Sequence, residues 1–223
     1  MNILVWLLQK HWMDMRDISI MDIERELKKL NEDLLKGCRL AQEAISKTSS
    51  VLMRFDAQKI QEIIDNNKKI GVHCVASQGY LTDIIKQYQP EGSVLTFISS
   101  SISVNIELKQ IGDLTAGIAE SLLSLNTDIP ERYKINISQF AKIFQNIVWD
   151  SVISFLKQDA GLAKKTILAS LELKKICSRM QEDLIETDRT AESAVRGESA
   201  LLFIVQCLKD IATHATNIAE ITV

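Results

Sequence analysis

The chain has 223 residues, 46% hydrophobic, 5% aromatic and 25% charged, with 8 Gly, 2 Pro and a formal net charge of −3. So small a charge gives no electrostatic basis for nucleic-acid binding, and so few aromatic and turn residues speak against a strand-rich fold. The length accommodates one large domain or two of about 100 residues each.

The chain opens with MNILVWLLQKHW, whose apolar run, Ile3 to Leu8, is too short for a signal-peptide core or a bilayer span. Residues 1–17 therefore read as an N-terminal extension, with the folded part starting near Ile18 or Met21. Helical periodicity then takes over. Ile20, Ile23, Leu27, Leu30, Leu34, Ala41 and Ile45 step by three and four and predict a long first helix. Ile60, Ile63, Asn67, Ile70, Cys74, Ser77, Leu81, Ile84 and Tyr88 form a second stripe, ended by Pro90 and Gly92. Ser93 is positioned to cap a third helix carrying Ile98, Ile102, Ile106, Ile111, Leu114, Ile118 and Leu122.

NTDIPERYK, Asn126 to Lys134, breaks the pattern with the second proline and is the expected linker. Ile137, Phe140, Phe144, Ile147, Val152 and Phe155 predict helix four. Leu162, Ile167, Leu173, Cys177, Met180 and Leu184 predict helix five, and Leu201, Ile204, Leu208, Ile211, Ala215 and Ile218 predict helix six. The expected architecture is all-α, two tandem three-helix bundles over residues 18–126 and 127–223. No window is apolar enough to cross a membrane, and the four cysteines lie far apart without a CxxC pair, as free thiols of a reducing cytoplasm do.

The two halves echo each other. LKQIGDLTAGIAESLL (Leu108 to Leu123) aligns with LKDIATHATNIAEITV (Leu208 to Val223), with identities at Leu108/Leu208, Lys109/Lys209, Ile111/Ile211, Ile118/Ile218, Ala119/Ala219 and Glu120/Glu220. FDAQKIQEI (Phe55 to Ile63) parallels QDAGLAKKT (Gln158 to Thr166), which sets Cys74 opposite Cys177. Two echoes in the same order indicate a duplicated three-helix unit.

IGDLTAGIAE (Ile111 to Glu120) and HATNIAE (His214 to Glu220) closely resemble the two signature helices of the PhoU family of phosphate-transport regulatory proteins, and YQP (Tyr88 to Pro90) resembles that family's close of helix two. The likeness covers residues 18–223. It implies a cytoplasmic, commonly homodimeric regulator that damps phosphate uptake or starvation signalling. Its implied partners are the ATPase subunit of a phosphate ABC transporter and a sensor histidine kinase. A helical adaptor without a phosphate role, or a metal-binding helical bundle, would be the alternatives.

Some proteins of the family hold iron or zinc on carboxylates, supplied by an E-x-x-x-D pair on the third helix of each half and by acids of the second helix. Hard cations need several such oxygens together. Here the pair is Lys109 and Asp113 in the first half, and Lys209 and Thr213 in the second. The expected acids of helix two align with Asn67 and Cys74, and those of helix five with Ser170 and Lys174. A protonated lysine cannot ligate and repels a cation, so the resemblance carries over no metal-ligating residue, and no cofactor is expected.

Softer ligands fare no better. Cys74 and Cys177 fall on apolar stripes, where a buried thiol is the ordinary reading, and His73 points about 100° away from its neighbour Cys74 on a helix. His214 has no nucleophile that sequence spacing can place beside it. No Glu precedes a His by three residues, as di-metal helical enzymes require, and no phosphate-binding glycine loop is present. Lys109 and Lys209 could form a symmetric basic pair, with a solvated face as the default. No catalytic or cofactor-binding residue is assigned, and the expected role is a non-enzymatic one.

Overall fold

The computed structural model describes the backbone of residues 3–126, 129, 131–186 and 192–223, and the side chains of 22–126, 129, 142–185 and 199–223. Within these residues there are six helices and no strand: α1 (Ile3–Met53), α2 (Ala57–Tyr88), α3 (Gly92–Leu125), α4 (Glu131–Lys157), α5 (Ala160–Glu186) and α6 (Glu192–Glu220). The side chains of the expected extension at 1–17, most of the expected linker, and Ile137 and Phe140 lie outside the described residues. The backbone of 3–17 is continuous with α1.

The duplicated DA dipeptides turn out to be helix starts. Asp56 is the N-cap of α2 and accepts the Lys59 backbone N–H at 3.1 Å; Asp159 accepts the Leu162 N–H at 2.9 Å at the head of α5. A carboxylate there satisfies an N–H that the helix cannot, and meets the positive end of the helix dipole. The bond from Lys59 holds the Asp56 carboxyl below its ordinary range. α2 ends on Gln89 in the left-handed region (φ 44°), its N–H bonded to the Ile85 carbonyl, with Pro90 following to prevent continuation.

Ser93 does not cap α3. The cap position is Glu91, extended and without a side-chain cap bond, and Gly92 enters the helix with a φ of +57°. Only a residue without Cβ takes that angle freely, so the chain turns into α3 two residues earlier than the Ser93 signal predicts.

Within each repeat the three helices pack on one another, and the repeats lie side by side through α1 on α4 and α3 on α6. One hydrophobic core runs through both, from Leu30, Leu34 and Ile60 to Phe144, Phe155, Ile204 and Ile218. The pairs Leu108/Leu208, Ile111/Ile211, Ile118/Ile218 and Ala119/Ala219, identical between halves, are buried, whereas Lys109/Lys209 are half-buried and Glu120/Glu220 exposed. The repeated sequence is thus the repeated seam of the fold.

Two stripes differ from the sequence reading. On α3, Ile106 is exposed, and the buried face instead takes Ser101, Val104, Asn105 and Leu108. On α5, Leu162 and Ile167 are only half-buried, and Ala163, Thr166 and Ser170 are inside. The reason on α3 is that it packs against α1, α2 and α6 together, so apolar residues surround it and their period no longer marks one face. Buried hydroxyls there close back on the helix: Ser101 donates to the Phe97 carbonyl at 2.8 Å and Thr115 to Gly112 at 2.6 Å.

A polar clasp ties α1 to α2. Tyr80 donates its hydroxyl to the carboxylate of the buried Glu26, which Lys29 also contacts at 2.8 Å. The bonds from Lys29 and Tyr80 hold the Glu26 carboxyl below its ordinary 4.5, while burial and the adjacent Glu26 raise the phenol above its ordinary 10. A lowered carboxyl contributes stability that is present above pH 4.5 and lost as pH falls; a raised phenol contributes stability that is present below pH 10 and lost as pH rises. Tyr80→Phe should therefore cost about 1.5 kcal/mol at pH 7. The difference from wild type in urea unfolding should shrink as pH drops below 4.5.

Candidate functional site

The positions at which the sequence raised chemistry fall in three places. The first is the α2–α3 seam of the first repeat. Lys109 and Asp113, one turn apart on α3, form an ion pair with Nζ 2.5 Å from Oδ2. From α2, Asn67 donates its amide to the other carboxylate oxygen at 3.0 Å. Gly112 makes this approach possible, because a Cβ there would lie 2.9 Å from Asn67 Oδ1 and 2.9 Å from Ile70 Cδ1. Asn67 Oδ1 is left buried without a hydrogen bond.

The corresponding place in the second repeat holds Lys209, Thr213 and Ser170 with no carboxylate among them. Thr213 donates its hydroxyl back to the Lys209 carbonyl at 3.2 Å, and Ser170 is fully buried with its hydroxyl unpaired. Lys209 has no ion-pair partner among the described residues. Ala212 stands here for Gly112, and the smaller Ser170 for Asn67. The second seam thus carries its bulk at the neighbouring position and lacks the polar bridge of the first.

The structure separates His73 from Cys74. His73 turns to α1, with Nε2 3.2 Å from the Asp33 carbonyl and Nδ1 3.7 Å from the Asp33 carboxylate. Cys74 turns to α3, donating its thiol to the Asn105 carbonyl at 3.4 Å while the Asn105 amide donates to the Cys74 carbonyl at 2.9 Å. This reciprocal clasp explains a buried asparagine in the core of α3. Burial pushes the Cys74 thiol up to about 11, against a smaller opposing effect of Lys109, and Cys177 likewise to about 11 against Lys209. Both thiols are neutral near pH 7 and packed in the interior. Among the described residues, no three His, Cys, Asp or Glu side chains converge as a metal would require.

The third place is the HATNIAE segment of α6. His214 Nδ1 lies 2.6 Å from Glu107 Oε2 on α3, and the Asn217 amide donates to both oxygens of the same carboxylate at 3.2 and 3.3 Å. The partner that spacing could not place for His214 comes from the other repeat, 107 residues away. Glu107 is half-buried and has no echo, since its repeat position is Cys207. The counterpart of Asn217 is Gly117, and a Cβ there would meet the Phe203 ring at 3.6 Å. One end of the α3–α6 contact is a polar latch, the other an apolar one. Among the described residues no Ser, Thr or Cys side chain is hydrogen-bonded to the His214–Glu107 pair, whose bonds run between α6 and α3.

Comparison with known proteins gives the same picture. The PhoU domain matches residues 34–122 and again 137–222, once in each repeat. A phosphate-specific transport system accessory protein PhoU homolog of Aquifex aeolicus is 30% identical over 165 residues, which is 74% of this chain and 75% of that protein. The homolog of Streptococcus pneumoniae serotype 4 is 23% identical over 195 residues, 87% of this chain and 90% of that one. The crystal structure of PhoU from Pseudomonas aeruginosa shares the fold with a TM-score of 0.83 at 20% identity, over 89% of this chain and 96% of that chain. The phosphate transport system regulatory protein PhoU from Streptococcus pneumoniae does so at 0.80 and 23%, over 89% and 94%. With both repeats matched in order, the chain belongs to the PhoU family.

Proposed function

We propose that this chain is a regulator of phosphate uptake and phosphate-starvation signalling that works by protein contact. It binds the ATPase subunit of a phosphate ABC transporter, a sensor histidine kinase, or both, and damps their activity from the cytoplasm, as a homodimer. The observation that carries this reading is the pair of PhoU domain matches in one chain, together with curated relatives named as phosphate transport accessory proteins over most of their length. The role by contact is in keeping with a His214–Glu107 pair that joins two helices and with thiols that lie in the interior. Among the described residues no helix is long and apolar enough to cross a membrane.

The direct test is capture of the cell's own transporter ATPase and sensor kinase by the purified, folded chain, with light scattering on the same sample. Retention of at least one of the two, with a mass twice that of the 25.1 kDa chain, is expected. Retention of neither by a folded protein would favour the adaptor reading, for which the replaced acids at Lys109, Lys209 and Thr213 are the motivating observation.

A further inference from the structure

We propose that the Lys109 ammonium is the resident cation of the α2–α3 seam. It neutralises Asp113 at the place where the fold family would put a metal, and replacing Lys109 and Asn67 together with acids opens a divalent-cation site.

Each oxygen of Asp113 is already occupied, Oδ2 by the Lys109 ammonium at 2.5 Å and Oδ1 by the Asn67 amide at 3.0 Å. Asn67 is also oriented for this arrangement. It presents its NH₂ to the carboxylate and turns its carbonyl oxygen toward Gly112, where that oxygen is buried and unpaired. An amide serving a cation would present the oxygen instead. Asp33 of α1 is engaged by His73. In the second repeat the equivalent positions, Lys209, Thr213 and Ser170, carry a positive charge and no acid. The residues present therefore do not fit a metal in either repeat.

As an ion pair Lys109–Asp113 is weak, because both side chains are about two-fifths exposed and a lysine preceding an aspartate by four residues is the less favourable order. Its effect falls on cation affinity. A fixed positive charge at hydrogen-bond distance from the only carboxylate of the Lys109, Asp113 and Asn67 set opposes a divalent ion at the same oxygens.

Removing that charge and supplying two acids should reverse the outcome. The test compares the full wild-type chain with Asn67→Asp/Lys109→Glu, both dialysed against chelator and titrated with Mn²⁺ by calorimetry and thermal melting. Wild type should show no saturable binding and no change in melting temperature. The double variant should bind Mn²⁺ at least about 100-fold more tightly and melt higher with it. If the clustered acids prevent folding in chelator, recovery of helicity on adding Mn²⁺ supports the proposal equally, and Lys109→Glu alone should show intermediate affinity. Wild type binding Mn²⁺ as tightly as the double variant, or folded variants gaining no affinity, would overturn it. The regulatory reading stands or falls separately, since partner capture does not depend on either result.

Discussion

Replacing Glu107 with alanine is expected to lower the stability of the chain by about 3 kcal/mol and its melting temperature by about 5 to 10 °C. The magnitude follows from what the carboxylate holds. Glu107 is 20% exposed and His214 23%, so neither partner is freely solvated. One carboxylate receives the His214 ring nitrogen and the Asn217 amide, and both join α6 to α3 across the boundary between repeats. Truncation leaves two polar groups of α6 against a seam from which water is largely excluded, and the cost of such orphaned groups exceeds the net worth of a hydrogen bond. Glu107→Gln should cost less, about 1 to 2 kcal/mol, because an amide oxygen still accepts one bond. The check is a double-mutant cycle by urea unfolding, with Glu107→Ala, Asn217→Ala and the pair. The latch predicts a coupling of about 1 kcal/mol or more, whereas strictly additive effects would mean that the contact is a solvated surface pair.

Phe144→Ala should be costlier still, at about 4 kcal/mol. Phe144 is fully buried on α4 and lines a small apolar cavity with Ile45 and Leu52 of α1, Ile118 of α3, and Leu208 and Ile211 of α6. It thus stands where four helices from both repeats meet. Deleting the ring removes its burial and leaves a cavity that helices anchored on four sides cannot collapse to fill. The consequence extends to cooperativity. Because one core runs through both repeats, the loss should destabilise α2 of the first repeat as much as α5 of the second. Amide exchange on both helices should accelerate together, with a single denaturation transition. Exchange rising on α5 while α2 keeps its wild-type protection would mean that the repeats fold as separate bundles.

The helix order, the duplication and the helix-three seam were legible because they rest on periodicity and identity, which act over long stretches. Leu108/Leu208 and Ile118/Ile218 are identical because both copies bury the same face. The phase of α3 was not legible from apolar period, since Ile106 lies on its exposed side with Ser103 and Gln110 while the polar Asn105 is buried. Asn105 is stable there only through its exchange with Cys74, a tertiary partner that no local pattern announces. Glu107 was hidden for a related reason: it breaks the repeat, and its partners lie more than a hundred residues downstream. The substituted acids were readable residue by residue only through the resemblance to the PhoU family and its E-x-x-x-D pair. The ion pair of Asp113 with Lys109 and the Asn67 amide on its other oxygen are both features of the folded seam.

The central claim, a regulator that restrains phosphate uptake and starvation signalling by contact, is tested most directly in cells lacking the gene. Phosphate uptake and starvation-response transcripts would be measured in phosphate-replete medium, with and without the wild-type gene restored. The account predicts that both rise in the deletion strain and return to their original levels on restoration. Uptake and transcripts that remain at wild-type levels in the deletion strain would contradict it.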